Sequence, residues 1–291
     1  MERHLLVTVS ENSNAMHAVR FVGHFFGEKK EVKITLFYTA SRPATVYAGE
    51  KTDETVRESE LQAKKSLAKG RKALDAAKKE LLWMGFSPEN VETKLQMRQF
   101  SKVEDIIQEG TKGLYDAVVL GRRGLSWLEE AFDESVSRGL LEQGIGFPIW
   151  LCRKPDPDRN GVLLCVDGSD SAACMVDHVG FMLEPDPLHR VKIIAVVKGA
   201  ANSADIIEKA LSSARDSILK AGVPADRIEI KALEGSNIAR VILKAAKEEK
   251  FAAVAVGRKG TGQEMFQKFF MGSVSMTLFK EIEGAALWVC R

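Results

Sequence analysis

The sequence predicts an α/β protein built from two tandem copies of a doubly wound, mainly parallel five-stranded sheet with helices on both faces. Three observations support this prediction. Short apolar runs alternate with helical patterns along the 291 residues, an order typical of βαβ units. The same order runs twice, on either side of a charged, proline-containing segment. Motifs also recur at corresponding places in the two copies, as expected after a tandem duplication.

The repeat is visible in three pairs of segments. They are GRRG at 121–124 with GRKG at 257–260, WLCR at 150–153 with WVCR at 288–291, and Val9-Ser10 with Val166-Asp167. The offsets are 136, 138 and 157 residues, so the copies differ in length between these motifs. We therefore predict domains at 1–153 and 161–291, with 154–160 as the linker.

Each copy is predicted to have the order β-α-β-α-β-α-β-α-β. Apolar runs predict the strands, at 5–9, 32–38, 91–97, 116–120 and 148–152, and at 162–166, 191–197, 227–233, 252–256 and 285–290. Helical spacing predicts the helices of the first copy near 15–26, from about 56 to 84, around Val103, Ile106 and Ile107, and at 135–143. In the second copy it predicts helices at 171–183, 204–221, 238–249 and 273–282. Right-handed crossovers then place helices on both faces of each sheet, as in Rossmann-like and flavodoxin-like folds.

Bulk composition excludes several classes of partner. The formal net charge is +2, which is close to balance and gives no reason to expect a nucleic acid or an anionic membrane. The first residues contain too short an apolar run for a signal peptide, and no run approaches membrane length. We therefore expect a cytoplasmic protein.

The four cysteines and five histidines predict no metal or redox site. Cys152, Cys165, Cys174 and Cys290 form no C-x-x-C pair and have no histidine cluster beside them. We interpret them as small buried side chains in a reducing compartment. No nucleophile–base arrangement is visible either, so no catalytic residue is assigned and an enzyme is not expected.

One stretch, residues 251–275, predicts a ligand site. An apolar strand ends at Gly257, a loop containing Gly260 follows, and a helix begins at Gly272-Ser273. A helix start presents unpaired N–H groups and a positive dipole end, which is the chemistry of a phosphate site. Asp167 ends the first strand of the same copy and could accept from a ribose hydroxyl or an adenine amino group. Arg258 is interpreted either as a phosphate ligand or as a solvated loop charge.

Two common phosphate motifs do not fit this stretch. Gly257 and Gly262 have the spacing of a Walker A start, but Gln263-Glu264 stand where Lys and Ser or Thr are required. No G-x-G-x-x-G follows either first strand, so the dinucleotide fingerprint is absent.

The combination of G-x-x-G, a spacer, G-S-V-S and an aspartate after strand one resembles the ATP-binding motif of the universal stress protein family, G-x2-G-x9-G-[ST], over essentially the whole chain. The resemblance implies bound ATP, with or without Mg²⁺, and nine site residues. They are Asp167, Val196 in the adenine pocket, and Gly257, Arg258, Gly260, Gly272, Ser273, Val274 and Ser275 around ribose and phosphates. Here eleven residues separate Gly260 from Gly272, where the family pattern has nine; counting from Gly262 restores nine.

The first copy departs further from the motif. Ser10 stands in place of the aspartate, and the nine-residue spacer after Gly124 ends at Glu134-Ser135 instead of Gly-Ser. A carboxylate at that helix start would occupy the place of the anion. We expect the first copy not to bind ATP.

Two hypotheses follow for the function. In the first, the chain is a stress-response protein that binds ATP in its C-terminal domain, while the N-terminal domain is structural or binds a partner. In the alternative, it is a scaffold that binds no nucleotide and acts through protein contacts. Family dimers pair through their last strands, so Trp150 and Trp288 lie either in a pseudo-dimer within this chain or in an interface with another chain.

Overall fold

In the computed structural model, the structure describes residues 2–11, 16–43, 52–121, 145–197, 204–258 and 272–290. Six of the seven proposed site residues at 257–275 fall inside these ranges, and several first-copy positions do not: the predicted helix at 135–143, Glu134 and Arg122 lie outside the described residues.

The first half contains five strands and three described helices. In chain order these are β1 (Arg3–Thr8), α1 (His17–Phe25), β2 (Val32–Ala40), α2 (Asp53–Trp83), β3 (Val91–Met97), α3 (Lys102–Lys112), β4 (Ala117–Leu120) and β5 (Ile149–Cys152). Two helices begin at side-chain caps: the Thr52 hydroxyl accepts from the Thr55 N–H at α2, and Ser101 forms a capping box with Glu104 at α3.

The second half repeats the order. Its elements are β6 (Val162–Cys165), α4 (Asp170–Leu183), β7 (Val191–Val197), α5 (Ala204–Lys220), β8 (Ile228–Glu234), α6 (Ile238–Glu248), β9 (Ala253–Gly257), α7 (Ser273–Glu281) and β10 (Ala286–Cys290). Every predicted strand agrees with an observed strand to within two residues at each end. The strands β4, β5, β9 and β10 are almost continuously buried, as expected for inner strands with helices on both faces.

All ten strands form one sheet, in the order β3-β2-β1-β4-β5-β10-β9-β6-β7-β8. Each half is parallel, and the two halves are joined by antiparallel pairing of β5 with β10, in which Trp150 lies opposite Trp288. The α/β fold with two tandem, mainly parallel halves is therefore confirmed. Of the two alternatives for the last strands, the structure shows pairing within the chain, so the two predicted sheets are continuous. Apolar cores on both faces run across both halves.

Aromatic rings fill the seam between the halves. The Trp150 and Trp288 rings lie parallel with centroids 4.0 Å apart, and Phe21 and Phe25 of α1 meet Trp150 edge-on. Trp150 Nε1 donates a 2.9 Å hydrogen bond to His178 Nε2 on α4. Both indoles are 0% exposed, so the seam is part of the core and not a wet domain interface.

Polar contacts close the same seam at its edge. Arg3, the first residue of β1, is 1% exposed, and its guanidinium donates to the Phe181 carbonyl at 2.8 and 3.1 Å. The same guanidinium pairs with Glu184 at 2.7 Å. From the other side, the Asp186 carboxylate accepts a 2.6 Å hydrogen bond from the Gly27 N–H. Charged groups at this seam are thus paired across the halves, which compensates for their burial.

Acid is expected to weaken this seam. Burial lowers the pKa of His178 to about 3, and it also lowers the pKa of His189, whose ring stacks on Phe25. The unfolded histidines take up protons below about pH 6.5, whereas the folded ones do not. Stability is therefore fully present above that pH and falls as the pH drops toward the folded pKa, by up to about 1.4 kcal/mol per pH unit for each histidine. Urea unfolding between about pH 7.5 and 5 measures this slope.

The variant His178→Asn is the matched control, because an asparagine oxygen can still accept from Trp150 Nε1 but does not titrate. Its unfolding free energy should depend on pH less steeply than that of the parent chain, by about one proton between pH 6.5 and 5. Equal slopes would show that His178 is not responsible.

Candidate functional site

The candidate site lies at the carboxyl end of the second-half sheet, where the winding reverses. Strand β6 has β9 on one side and β7 on the other. The strands that follow β6 in the chain are therefore added first on one side of it and then on the other. In open α/β sheets, ligands bind in the crevice at such a point. Asp167 follows β6 and Gly257 ends β9, so the structure brings the two predicted ends to this crevice.

Asp167 is exposed and shapes the turn that begins α4. Its Oδ1 accepts from the Ser169 N–H at 3.0 Å and from Ser169 Oγ at 2.6 Å. Gly168 between them has a φ of 80°, a left-handed conformation that favours glycine. Ser169 Oγ in turn accepts from the Ala172 N–H at 3.2 Å and caps α4. The carboxylate predicted to meet a nucleoside therefore also organises a helix start.

Gly257 is required by packing against that same helix start. A Cβ on Gly257 would lie 2.7 Å from Ala172 N and 2.8 Å from Ser171 Oγ. The nearest atoms are largely backbone, which cannot move cheaply. The sequence analysis assigned Gly257 to the approach of phosphate oxygens. Its close packing against Ser171 and Ala172 is a second reason for glycine at this position.

The Gly257→Ala substitution is expected to lower the unfolding free energy by about 1–3 kcal/mol, because overpacking forces β9 and α4 apart. Gly146→Ala is the matched control, since a Cβ there meets nothing within 4 Å. Urea unfolding of both variants measures the difference. An equal cost at the two positions would contradict the close approach.

Helix α7 begins without a side-chain cap. Gly272 is its N-cap residue and makes no side-chain cap hydrogen bond. The Gly272 N–H donates to the Arg258 carbonyl at 2.8 Å, and Ser275 Oγ donates to the Gly257 carbonyl at 3.1 Å. The chain therefore leaves at Arg258 and returns at Gly272 beside it, so the start of α7 sits at the end of β9. Ser273 is exposed at this start and Val274 is half-buried.

Arg258 is 3% exposed, so it is not a solvated loop charge. Its N–H donates to the Cys290 carbonyl at 2.7 Å, which continues the pairing of β9 with β10 by one residue. The predicted site residue Gly260 lies outside the described residues.

Val196 lies on β7, the strand next to β6. It is half-buried, packs against the core on one face of the sheet, and stands two residues beyond Ile194, the partner of Cys165. Burial, together with the charge of Asp167, raises the pKa of the Cys165 thiol well above its usual range. This side of the crevice is consequently apolar and carries no reactive thiolate.

The corresponding place in the first half contains a cavity with different chemistry. A cavity of about 80 Å³ lies at the ends of β1 and β2, and Ser10, Glu11, Thr39 and Lys102 contribute to its lining. The Glu11 carboxylate accepts a 2.9 Å hydrogen bond from the Tyr38 hydroxyl. Ser10 stands where the second half has Asp167, and a carboxylate one residue later faces the space. That the first copy does not bind ATP stays a prediction.

Sequence reasoning missed two features of the second half. Ser169 is the cap that connects Asp167 to α4, and the serine two residues after the aspartate could have indicated it. Cys174 and Cys290 form a disulfide, so the interpretation of all four cysteines as unbonded side chains was wrong for this pair. The two residues are 116 positions apart, and no local spacing indicates that they meet.

The described ranges contain neither a metal-like cluster of side chains nor a membrane-spanning helix. Nowhere in these ranges do three or more His, Cys, Asp or Glu side chains gather as they would around a metal ion. None of the helices described here combines the length and apolar character needed to cross a bilayer.

Comparison with known proteins identifies the family. The profile of the universal stress protein family matches residues 1–144 and 159–285, which is most of the chain. No curated protein matches the sequence.

Solved structures share the fold of the whole chain. A universal stress protein from Archaeoglobus fulgidus is 19% identical with a TM-score of 0.62, and the match covers 99% of this chain and 96% of that one. A functionally unknown protein from Pseudomonas aeruginosa is 14% identical with a TM-score of 0.56, covering 99% and 92%. A universal stress protein in complex with cAMP is 21% identical, covering 46% of this chain and 97% of that one, and its TM-score of 0.38 is too low to transfer a ligand.

Proposed function

Because the chain belongs to the universal stress protein family, we propose that it acts in a stress response by binding an adenine nucleotide, ATP with Mg²⁺, in its C-terminal domain at 161–291. The N-terminal domain, at 1–153, is structural or binds a partner. The function is that of a sensor, in which occupancy of the crevice is the signal, with at most slow hydrolysis.

The observation that carries this proposal is the uncapped start of α7 at the end of β9. Ser275 Oγ and the Gly272 N–H bond to the last residues of that strand, so the first N–H groups of the helix are held at the crevice. Gly272, the N-cap residue, makes no side-chain cap hydrogen bond to them. Such N–H groups, with the positive end of the helix dipole, favour an anion by about 0.3–1 kcal/mol from the dipole alone.

The residues around this start fit the other parts of a nucleotide. Asp167 presents an exposed carboxylate that can accept from ribose hydroxyls, and Val196 presents an apolar surface for a base. We assign Gly257, Arg258 and Gly260 to the phosphate position, as in the family motif, and the N–H groups of Ser273, Val274 and Ser275 would donate to it; Gly260 lies outside the described residues. Bound ATP would bring a triphosphate to the helix start and an adenine base to the side of Val196. The described residues offer no cluster for a metal, so Mg²⁺ would enter with the phosphates.

The experiment is to purify the full chain without added nucleotide, denature it and identify any small molecule released. The same preparation is titrated with ATP–Mg²⁺ by calorimetry. We expect one nucleotide per chain at saturation, and Asp167→Ala should weaken binding by tenfold or more, in line with about 1.5–3 kcal/mol for a hydrogen bond to a charged group.

Asp216→Ala is the matched control, because Asp216 is an exposed carboxylate on α5 away from the crevice. It should leave the ATP affinity unchanged. If the parent chain releases no nucleotide and binds none, the proposal is wrong.

One observation favours the alternative scaffold function. Asp167 and Gly257 each have a structural reason, in the α4 turn and in the packing of β9, and neither reason requires a ligand. A chain that binds no nucleotide but keeps these contacts would act through its protein surface, and the search would turn to protein partners.

A further inference from the structure

The disulfide between Cys174 and Cys290 lies at the candidate crevice. Cys174 is on the second turn of α4, Cys290 is the last residue of β10, and their Cα atoms are 6.2 Å apart, a separation typical of disulfides. Cys290 is paired with Gly257 in the sheet, and its carbonyl accepts from the Arg258 N–H. The disulfide is therefore attached to β10 directly opposite Gly257, the last residue of β9.

The disulfide joins α4, which begins next to Asp167, to β10, which pairs with the end of β9. Helix α4 begins with the turn held by Asp167 and Ser169, and its Ser171 and Ala172 approach Gly257. Strand β10 holds Arg258, whose carbonyl in turn holds the Gly272 N–H at the start of α7. A covalent bond between α4 and β10 thus restrains the Asp167 side relative to the α7 side.

We propose that Cys174 and Cys290 form a reversible redox switch whose oxidation orders this crevice and whose reduction loosens it. As a control of ATP affinity, the inference rests on the proposed function. Holding both sides of a site in place lowers the ordering cost that a ligand must meet, so the oxidised chain binds the nucleotide more tightly.

The other two cysteines form no disulfide in the structure. Cys152 is 1% exposed, and burial raises the pKa of its thiol as it does for Cys165, which is partly exposed but joined to no second cysteine. Cys290 is 4% exposed whereas Cys174 is partly exposed, so a reagent reaches the pair through the Cys174 sulfur. In the first half, His17 and Cys152 stand at the corresponding positions, by offsets of 157 and 138. The pair is therefore present only in the half that keeps the aspartate and the Gly-Ser helix start.

The chemistry needs an oxidant, and a low-molecular-weight disulfide such as oxidised glutathione supplies it. The Cys174 thiolate attacks one glutathione sulfur, forming a mixed disulfide and releasing one glutathione. The Cys290 thiolate then attacks the Cys174 sulfur, closing the protein disulfide and releasing the second glutathione. Two thiol protons and two electrons pass from the protein to the two glutathione molecules.

The test compares the full chain after treatment with oxidised glutathione and after reduction by a phosphine. Alkylation and peptide mass mapping should find Cys174 and Cys290 joined in the first sample and alkylated in the second. Amide hydrogen exchange in peptides that contain Arg258 and residues 272–276 should be slower in the oxidised sample. ATP–Mg²⁺ should bind roughly tenfold more weakly after reduction, a coupling within the usual range between linked sites.

Two variants sharpen the comparison. Cys174→Ser should show the reduced behaviour under both treatments, whereas Cys152→Ala should keep the full difference. Failure of Cys174 and Cys290 to join, or equal exchange in both samples, would overturn the switch.

The same experiment distinguishes failure of the redox switch from failure of the proposed nucleotide binding. If ATP binds neither sample but the exchange still differs with Cys174 oxidation, the redox control of the crevice stands and nucleotide binding is wrong. If ATP binds both samples equally, the site is supported and its control by the disulfide is overturned.

Discussion

Replacing Trp150 by alanine is expected to lower the free energy of unfolding by about 3–5 kcal/mol, the usual cost of removing a large aromatic side chain from a core. The loss should appear in both halves at once. Trp150 belongs to the first half, but its ring stacks on Trp288 and donates to His178, both in the second half. The same apolar core also continues across the sheet from α1 to α4.

Urea unfolding measures the total loss of free energy, and amide hydrogen exchange measures the loss separately for each half. Amides of β1 and β2 report on the first half, and those of β6 and β7 on the second. In Trp150→Ala both sets should lose protection to a similar extent, as expected for one cooperative unit. Protection lost in the first half alone would mean that the seam does not couple the halves.

Trp83→Ala is the matched control for this prediction. The same side chain is removed, but Trp83 is 84% exposed at the end of α2. The expected change in unfolding free energy is about 0.5 kcal/mol or less. A similar cost at both positions would point to the unfolded state and not to the seam.

The Gly272→Glu substitution is expected to abolish ATP binding while leaving the fold intact. It places a carboxylate at the helix start, as the sequence predicts for Glu134 in the first copy. Two unit charges 4 Å apart repel by about 4 kcal/mol at an effective dielectric of 20, which corresponds to roughly a thousandfold in affinity. The backbone of Gly272 has a φ of −66°, a conformation that does not require glycine, and the helix dipole favours the carboxylate slightly.

Gly272→Gln separates charge from size in this experiment. Glutamine fills nearly the same volume without a charge, so it should weaken ATP binding much less than glutamate does. Calorimetric titration of both variants with ATP–Mg²⁺, beside thermal unfolding of each, gives the comparison. Equal losses would show that the crevice rejects any side chain at this position, and the electrostatic argument would then be wrong.

The strands and helices could be predicted from the sequence because their patterns are local. Strand β9 is an unbroken apolar run, and Val103, Ile106 and Ile107 recur at helical spacing in α3, so both elements could be located. The same holds for the start of α7, where glycine and serine precede the helix. Tandem duplication added a second independent indication for each element.

The contacts of the site residues could not be predicted in the same way. Asp167 was chosen for a ligand, and its hydrogen bonds to Ser169 depend on the left-handed turn at Gly168. Gly257 was assigned to phosphate approach, and its packing against Ala172 depends on how α4 crosses the sheet. Such contacts join segments that are far apart in sequence, so residue type alone does not indicate them.

The sequence by itself determined the order of elements, the duplication and the location of the candidate site in the second copy, because alternation, periodicity and glycine spacing are written along the chain. Only the tertiary structure decided that β5 pairs with β10, that one core crosses the seam and that Cys174 meets Cys290. These depend on long-range packing, in which each strand edge and apolar face is satisfied by whichever partner the whole fold brings to it. The two tryptophans could have met another chain, and the fold pairs them with each other.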